Sequence, residues 1–156
     1  MEIRIWQQLM RTARARSPWV YCLNTGACNG CDIEIAACLS PRYDAEQLGV
    51  RREGSPKHAD ILVVSGPVTL RTRDALLDIY HQMPYPKAVV AIGSCPASGN
   101  VFAGSPTIFG AVDQFIPTDV YVAGCPPRPQ AILKGIAEAA RLIAEGKEKS
   151  RMEVVG

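Results

Sequence analysis

Three stretches of this chain repeat one design, and that design constrains its fold more than any other feature. ADILVVSGPVT (residues 59–69), KAVVAIGSCP (87–96) and DVYVAGCPP (119–127) each carry an unbroken apolar run into a glycine and a turn. A strand that is apolar at every position, rather than at alternate ones, is buried on both faces, and such strands belong to parallel sheets. WVYCLN (19–24) is a further β-prone run, bounded by Pro18 and by Thr25 and Gly26. Helical patterns separate the runs: 32–39, closed by Ser40 and Pro41; 73–83; and the alanine-rich 129–145, with Ile132, Ile136, Ala139, Ala140 and Ile143 at three- and four-residue steps. The alternation predicts an α/β fold, a flavodoxin-like parallel sheet with helices on both faces.

The remaining segments are less regular. Residues 43–52 suggest a short helix and an edge strand, and 97–116, rich in Gly, Pro and Ser, read as a long loop with one helical turn. The chain divides into an amphipathic segment (1–16), a single domain (17–146) and a polar tail (147–156). With 156 residues, 47% hydrophobic and 21% charged, one domain with a real core is expected. A net charge of +2 and 6% aromatic residues argue against a nucleic-acid partner. No run of about 18 apolar residues offers a bilayer-spanning helix, and residues 1–16 lack the apolar centre of a signal peptide, so a cytoplasmic location is expected. In that segment Trp6, Leu9, Met10 and Ala13 share helical spacing beside Arg4, Arg11, Arg14 and Arg16. An apolar stripe beside basic residues suits a membrane subunit or an anionic lipid surface.

Six cysteines in a cytoplasmic chain point to metal ligation or redox chemistry rather than disulfides. In an open parallel sheet, ligands bind beyond the carboxyl ends of the strands. Cys28 and Cys31 follow the first strand, and Cys95 and Cys125 end two later ones, so four thiols are expected at one edge. Gly26, Gly30, Gly93 and Gly124 leave room for close backbone approach, Pro96 and Pro126 stiffen the turns, and a helix starting near Gly30 aims its amino end at the site. A thioredoxin-like dithiol, a zinc site, an iron–sulfur cluster and inert buried thiols all remain open at this point. Cys95 and Cys125 are superfluous to a dithiol, and only one cysteine pair is local, whereas zinc sites favour two. Cys22, inside a strand, and Cys38, two turns beyond Cys31, read as small buried hydrophobes and not as ligands.

SPWVYCLNTGACNGCDIE, SGPVT, AIGSCPASG and AGCPPRP, in that order over residues 17–142, resemble the small subunit of membrane-bound, energy-converting NiFe hydrogenases. That family is related to the 20 kDa iron–sulfur subunit of complex I. The resemblance implies a flavodoxin-like subunit carrying one proximal 4Fe-4S cluster, with Cys28, Cys31, Cys95 and Cys125 as its ligands. It implies a NiFe-type large subunit, a ferredoxin-like iron–sulfur subunit and membrane-arm subunits as partners, on the cytoplasmic face of the cell membrane. The chain would pass electrons between the iron–sulfur partner and the large subunit; the alternative is a complex I-like quinone- or sulfur-reducing assembly. Complex I relatives carry two adjacent cysteines where this chain has Asn29 and Gly30 between them, which favours the hydrogenase side. No cysteine follows Cys125, so further clusters are expected on other subunits. Asp32 and Glu34 fit either a helix's acidic first turn or, for Glu34, the large-subunit face. Arg71, Arg73 and Arg128 fit interface cations or solvated charges, and His58 and His81 receive no role.

Overall fold

The computed structural model describes residues 2–146 and 153–155. In chain order its elements are α1 (Glu2–Arg16), β1 (Trp19–Asn24), α2 (Gly30–Cys38), β2 (Arg51–Arg52), β3 (Ile61–Ser65), β4 (Val68–Thr69), α3 (Arg73–Gln82), β5 (Ala88–Ile92), α4 (Ser94–Ser98), β6 (Ile108–Gly110), β7 (Val120–Val122), α5 (Pro129–Glu145) and β8 (Glu153–Val155). Six strands form one parallel sheet in the order β2-β1-β3-β5-β7-β8. The order of its first five strands is that of doubly wound flavodoxin-like sheets; the apolar runs predict the parallel sheet but not this order. β2 is the expected edge strand, and β8 lies in the stretch read above as a polar tail, where it extends the sheet beside β7.

Both faces of the sheet are covered at its centre, which is why β3, β5 and β7 are buried along their whole length. Val20, Ile61, Val63, Val90, Ile92, Val120 and Val122 face a core built with α2 and α5, while Leu62, Val64 and Val89 face α3 through Leu76. The second face owes part of its cover to 97–116, where the structure departs from a simple long loop. That segment begins at the end of α4, carries short 3-10 turns at Asn100–Phe102 and Val112–Gln114, and supplies β6, which pairs antiparallel with β4. Its Val112 and Ile116 are buried in the core on this face. Elements of two to five residues leave no periodicity to read, so only the tertiary structure reveals them.

α1 sits at the opposite end of the sheet from the turns that carry the cysteines. It packs on α5, and Arg14 reaches Asp60, just before β3, at 3.6 Å and the Tyr85 carbonyl, before β5, at 3.2 Å. Asp60 also accepts the Trp19 N–H at 3.1 Å. Burial pushes the Asp60 carboxyl above its ordinary range, while the Trp19 N–H and Arg14 pull it back. The helix is therefore tied to the sheet through Arg14, and its Trp6, Leu9, Met10 and Ala13 are exposed.

α5 crosses the sheet at Gly135, where an added Cβ would lie 2.4 Å from Cγ2 of Val122, a buried β-branched side chain with little freedom to retreat. Gly135→Ala improves helix propensity by about 1 kcal/mol, but overpacking costs about 1–3 kcal/mol. The substitution is expected to lower stability on balance, by up to about 2 kcal/mol, measured as the shift of the denaturation midpoint. A variant more stable than the parent would show that α5 can lift from β7 without loss.

Candidate metal centre

The parallel register sets the position of every thiol. Asn24 pairs with Ser65, Ser65 with Ile92, and Ile92 with Val122, so β1, β3, β5 and β7 end in one line. Cys28 and Cys31 follow the first of these ends, Cys95 lies in α4 directly after β5, and Cys125 lies in the turn after β7. Cys31 and Cys95 are buried; Cys28 and Cys125 are exposed. The four interact: the Cys31 thiol is pushed up to about 11, chiefly by burial, then by Cys95, Cys28, Asp32 and Cys125. Cys95 is raised by burial and by Cys125 and Cys28, with a hydrogen bond from Asn100 acting in the opposite sense. Cys22 and Cys38 stay in the core beneath. Cys38 Sγ donates toward the Glu34 carbonyl at 3.3 Å and the Pro129 carbonyl at 3.5 Å, and burial raises both thiols.

A polar brace that the sequence reading did not anticipate fixes the Cys28–Cys31 loop. Asn24 Oδ1 accepts the N–H groups of Gly26 and Ala27, each at 2.8 Å, and Asn24 Nδ2 donates to Asp32 Oδ2 at 2.5 Å. Ser65 Oγ donates to Asp32 Oδ1 at 2.6 Å. Asp32 thus ties the first turn of α2 to the ends of β1 and β3, a positional task beyond its favourable place at a helix amino end. The buried Thr25 hydroxyl holds the next step, donating to the carbonyls of Ser65 and Gly66 at 3.0 and 2.8 Å. The only sequence signal for this brace is polar Asn24 and Ser65 at the ends of apolar strands.

Of the glycines, Gly93 most directly makes room for sulfur. An added Cβ there would lie 2.8 Å from Cys31 Sγ, and its φ of +94° is one that side chains rarely adopt. Gly30 stands at ordinary contact distance from Cys28 Sγ, whereas Gly26 and Gly124, expected to serve sulfur too, instead accommodate Thr69 and Pro127.

This donor set suits a cationic multi-atom centre. Packed thiols resist becoming thiolates until positive charge sits among them, as a metal cluster provides. Among the described residues no three Cys, His, Asp or Glu side chains are drawn together tightly enough to share a single metal ion. Around the edge, Ile33 (66% exposed), Val101 (80%), Leu70, Phe102 and Phe109 present apolar surface. Arg73 stacks on Phe109 at 5.6 Å and pairs with Asp74 at 3.2 Å, while Arg71 and Arg128 are exposed and Glu34 is half-buried. His58 and His81 make edge-on ring contacts with Trp19 and Tyr80.

Comparison with known proteins places the chain. Residues 28–139 match the family described as NADH ubiquinone oxidoreductase, 20 Kd subunit. The chain is 55% identical over 130 residues to the probable membrane-bound hydrogenase subunit mbhJ of Pyrococcus furiosus, covering 83% of this chain and 78% of that protein. It is 44% identical to formate hydrogenlyase subunit 7 of Escherichia coli, covering 83% of this chain and 51% of that one. Among solved structures, it superposes with a TM-score of 0.78 and 35% identity on a chain of an archaeal respiratory membrane complex, the membrane-bound sulfane sulfur reductase, over 90% of this chain and 77% of the other. The motifs that resemble hydrogenase small subunits are thus matched along most of the chain, which belongs to the family of the 20 kDa subunit of NADH ubiquinone oxidoreductase.

Proposed function

We propose that this chain is the electron-transfer subunit of a membrane-bound hydrogenase complex, holding one proximal 4Fe-4S cluster on Cys28, Cys31, Cys95 and Cys125. The observation that carries the proposal is the convergence of four interacting thiols, two buried and two exposed, on one sheet edge. When bound, the cluster supplies one-electron acceptance and release, at a potential set by charge, burial and hydrogen bonds to sulfur. The chain's residues do the rest: Asn24, Asp32 and Ser65 hold the Cys28–Cys31 loop, and Gly93 leaves room beside Cys31. The apolar rim of Ile33, Val101 and Phe102 suits burial against a NiFe-type large subunit, which would exclude water from the exposed thiols. A ferredoxin-like iron–sulfur subunit would deliver the electrons. The likeness to a sulfane sulfur reductase supports a second reading, in which the same module serves a sulfur-reducing complex. A large subunit with two C-x-x-C pairs, able to hold nickel and iron, would favour the first reading.

Iron and sulfide analysis of the anaerobically purified complex, with the electron paramagnetic resonance of its reduced form, tests the assignment. Cys125→Ser is expected to abolish or degrade one cluster signal. Cys22→Ala and Cys38→Ala should keep it and cost on the order of 1 kcal/mol of stability each. Zinc in place of iron, or loss of the signal in Cys38→Ala with retention in Cys125→Ser, would refute it.

The outward stripe of α1 extends the proposal to the membrane-arm subunits at the cytoplasmic face of the cell membrane. No described helix is long and apolar enough to cross a bilayer, so attachment would be peripheral. Trp6, Leu9 and Met10 are 66, 59 and 55% exposed on a helix already anchored by Arg14. Replacing them together, as Trp6→Gln, Leu9→Gln and Met10→Gln, leaves that anchor in place. The triple variant is expected to keep the cluster signal and to wash from membranes at high salt more readily than the parent. Wild-type retention would exclude α1 as the attachment surface.

A further inference from the structure

Asn100 stands where a hydrogen-bond donor can act on two of the four sulfurs at once. It opens the 3-10 turn after α4, and its side-chain Nδ2 lies 3.8 Å from Cys95 Sγ and 3.6 Å from Cys125 Sγ. Those cysteines follow two neighbouring strands, β5 and β7, so a single amide group spans the turns beyond both. A carboxamide carries two N–H donors, one for each sulfur, and such bonds strengthen when the acceptor is a thiolate.

The backbone makes the side chain informative. Asn100 has a φ of +47°, a conformation glycine adopts freely and asparagine tolerates. A turn that needed only this backbone would be served by glycine. The Asn100 N–H donates to Ser98 Oγ at 3.3 Å, and its carbonyl accepts the Ala103 N–H at 3.1 Å, so the turn is held without help from the carboxamide. What the side chain adds is directed at sulfur.

We infer that Asn100 is a positioning residue that raises the reduction potential of the cluster by donating hydrogen bonds to Cys95 and Cys125. The inference rests on the cluster assignment proposed above and deepens it. In the one-electron couple the oxidised centre takes one electron, supplied in a titration by dithionite, and no bond or proton is exchanged. The added negative charge spreads onto the ligand sulfurs, and N–H donors stabilise it more in the reduced than in the oxidised state. Docking of a partner over this exposed edge would remove competing water and strengthen the effect.

The test is a redox titration of the intact complex, following the resonance signal that Cys125→Ser removes, in the parent and in Asn100→Gly and Asn100→Asp. Glycine keeps the positive φ and removes the donor; aspartate keeps the shape and replaces the donor with an anionic acceptor. Both variants are expected to retain the cluster and to be harder to reduce, by on the order of tenfold in the equilibrium constant, or about 59 mV for one electron. The iron–thiolate stretching frequencies in resonance Raman spectra are expected to rise as the N–H···S bonds are lost. Unchanged potentials in both variants overturn the inference, as does loss of iron from both, which would make Asn100 a residue of cluster assembly. A parent complex with no iron–sulfur signal overturns the cluster assignment itself, and is seen before any variant is made.

Discussion

The hydrogen-bonded register of four parallel strands is the constraint on which the rest of this structure depends. Because Asn24, Ser65, Ile92 and Val122 pair in sequence across the sheet, residues separated by up to 97 positions, 28 to 125, arrive at one edge. A slip of one residue in any of these pairs would exchange the two faces of the strand, and both faces are packed. Val63 and Val90 would trade places with Leu62 and Val89, against helices shaped for other side chains. The two hydrophobic cores therefore protect the alignment of the thiols, although only Cys31 among the four belongs to either core.

Burial divides the four thiols into two kinds. Cys31 and Cys95, in helix first turns and buried, are held in the neutral form by desolvation and by their neighbours. Cys28 and Cys125 lie in exposed turns. An arrangement that is unfavourable for free thiolates becomes favourable once a cationic core lies between them. The brace of Asn24, Asp32 and Ser65 carries its own negative charge close to Cys31, which adds to the demand for compensating positive charge.

The strands and long helices were legible because continuous apolar runs and three- and four-residue steps have few other physical explanations. The convergence of Cys28, Cys31, Cys95 and Cys125 was legible for the same reason, since a parallel sheet places all strand ends after its apolar runs on one side. What escaped the sequence was whatever depends on a single contact. Asn24 and Ser65 are ordinary strand-end residues until register sets them beside Asp32. Asn100 lies in a stretch without periodicity, and its relation to Cys95 and Cys125 exists only in three dimensions. The amphipathic pattern of residues 1–16 was visible, but the contacts by which Arg14 ties the helix to the sheet were not. An apolar stripe ordinarily turns inward; here Trp6, Leu9 and Met10 stay exposed while Arg14 reaches Asp60 and the Tyr85 carbonyl.

That reversal separates two surfaces along the strand axis. The thiol edge lies beyond the carboxyl ends of β3 and β5, and α1 lies at their amino ends, so five residues of extended chain stand between them, on the order of 15 Å at about 3.3 Å per residue. The intervening sheet is close-packed, with Leu62, Val63, Val89 and Val90 almost wholly inaccessible to solvent, and a close-packed interior transmits position better than a loop does. A contact made at α1 can hold the subunit in place without touching the thiol edge, whose apolar rim stays available for a different partner. Arg14 and Asp60 join the first surface to the sheet, and the brace at Asp32 joins the second, so the two ends share β1 and β3 as a common rigid support.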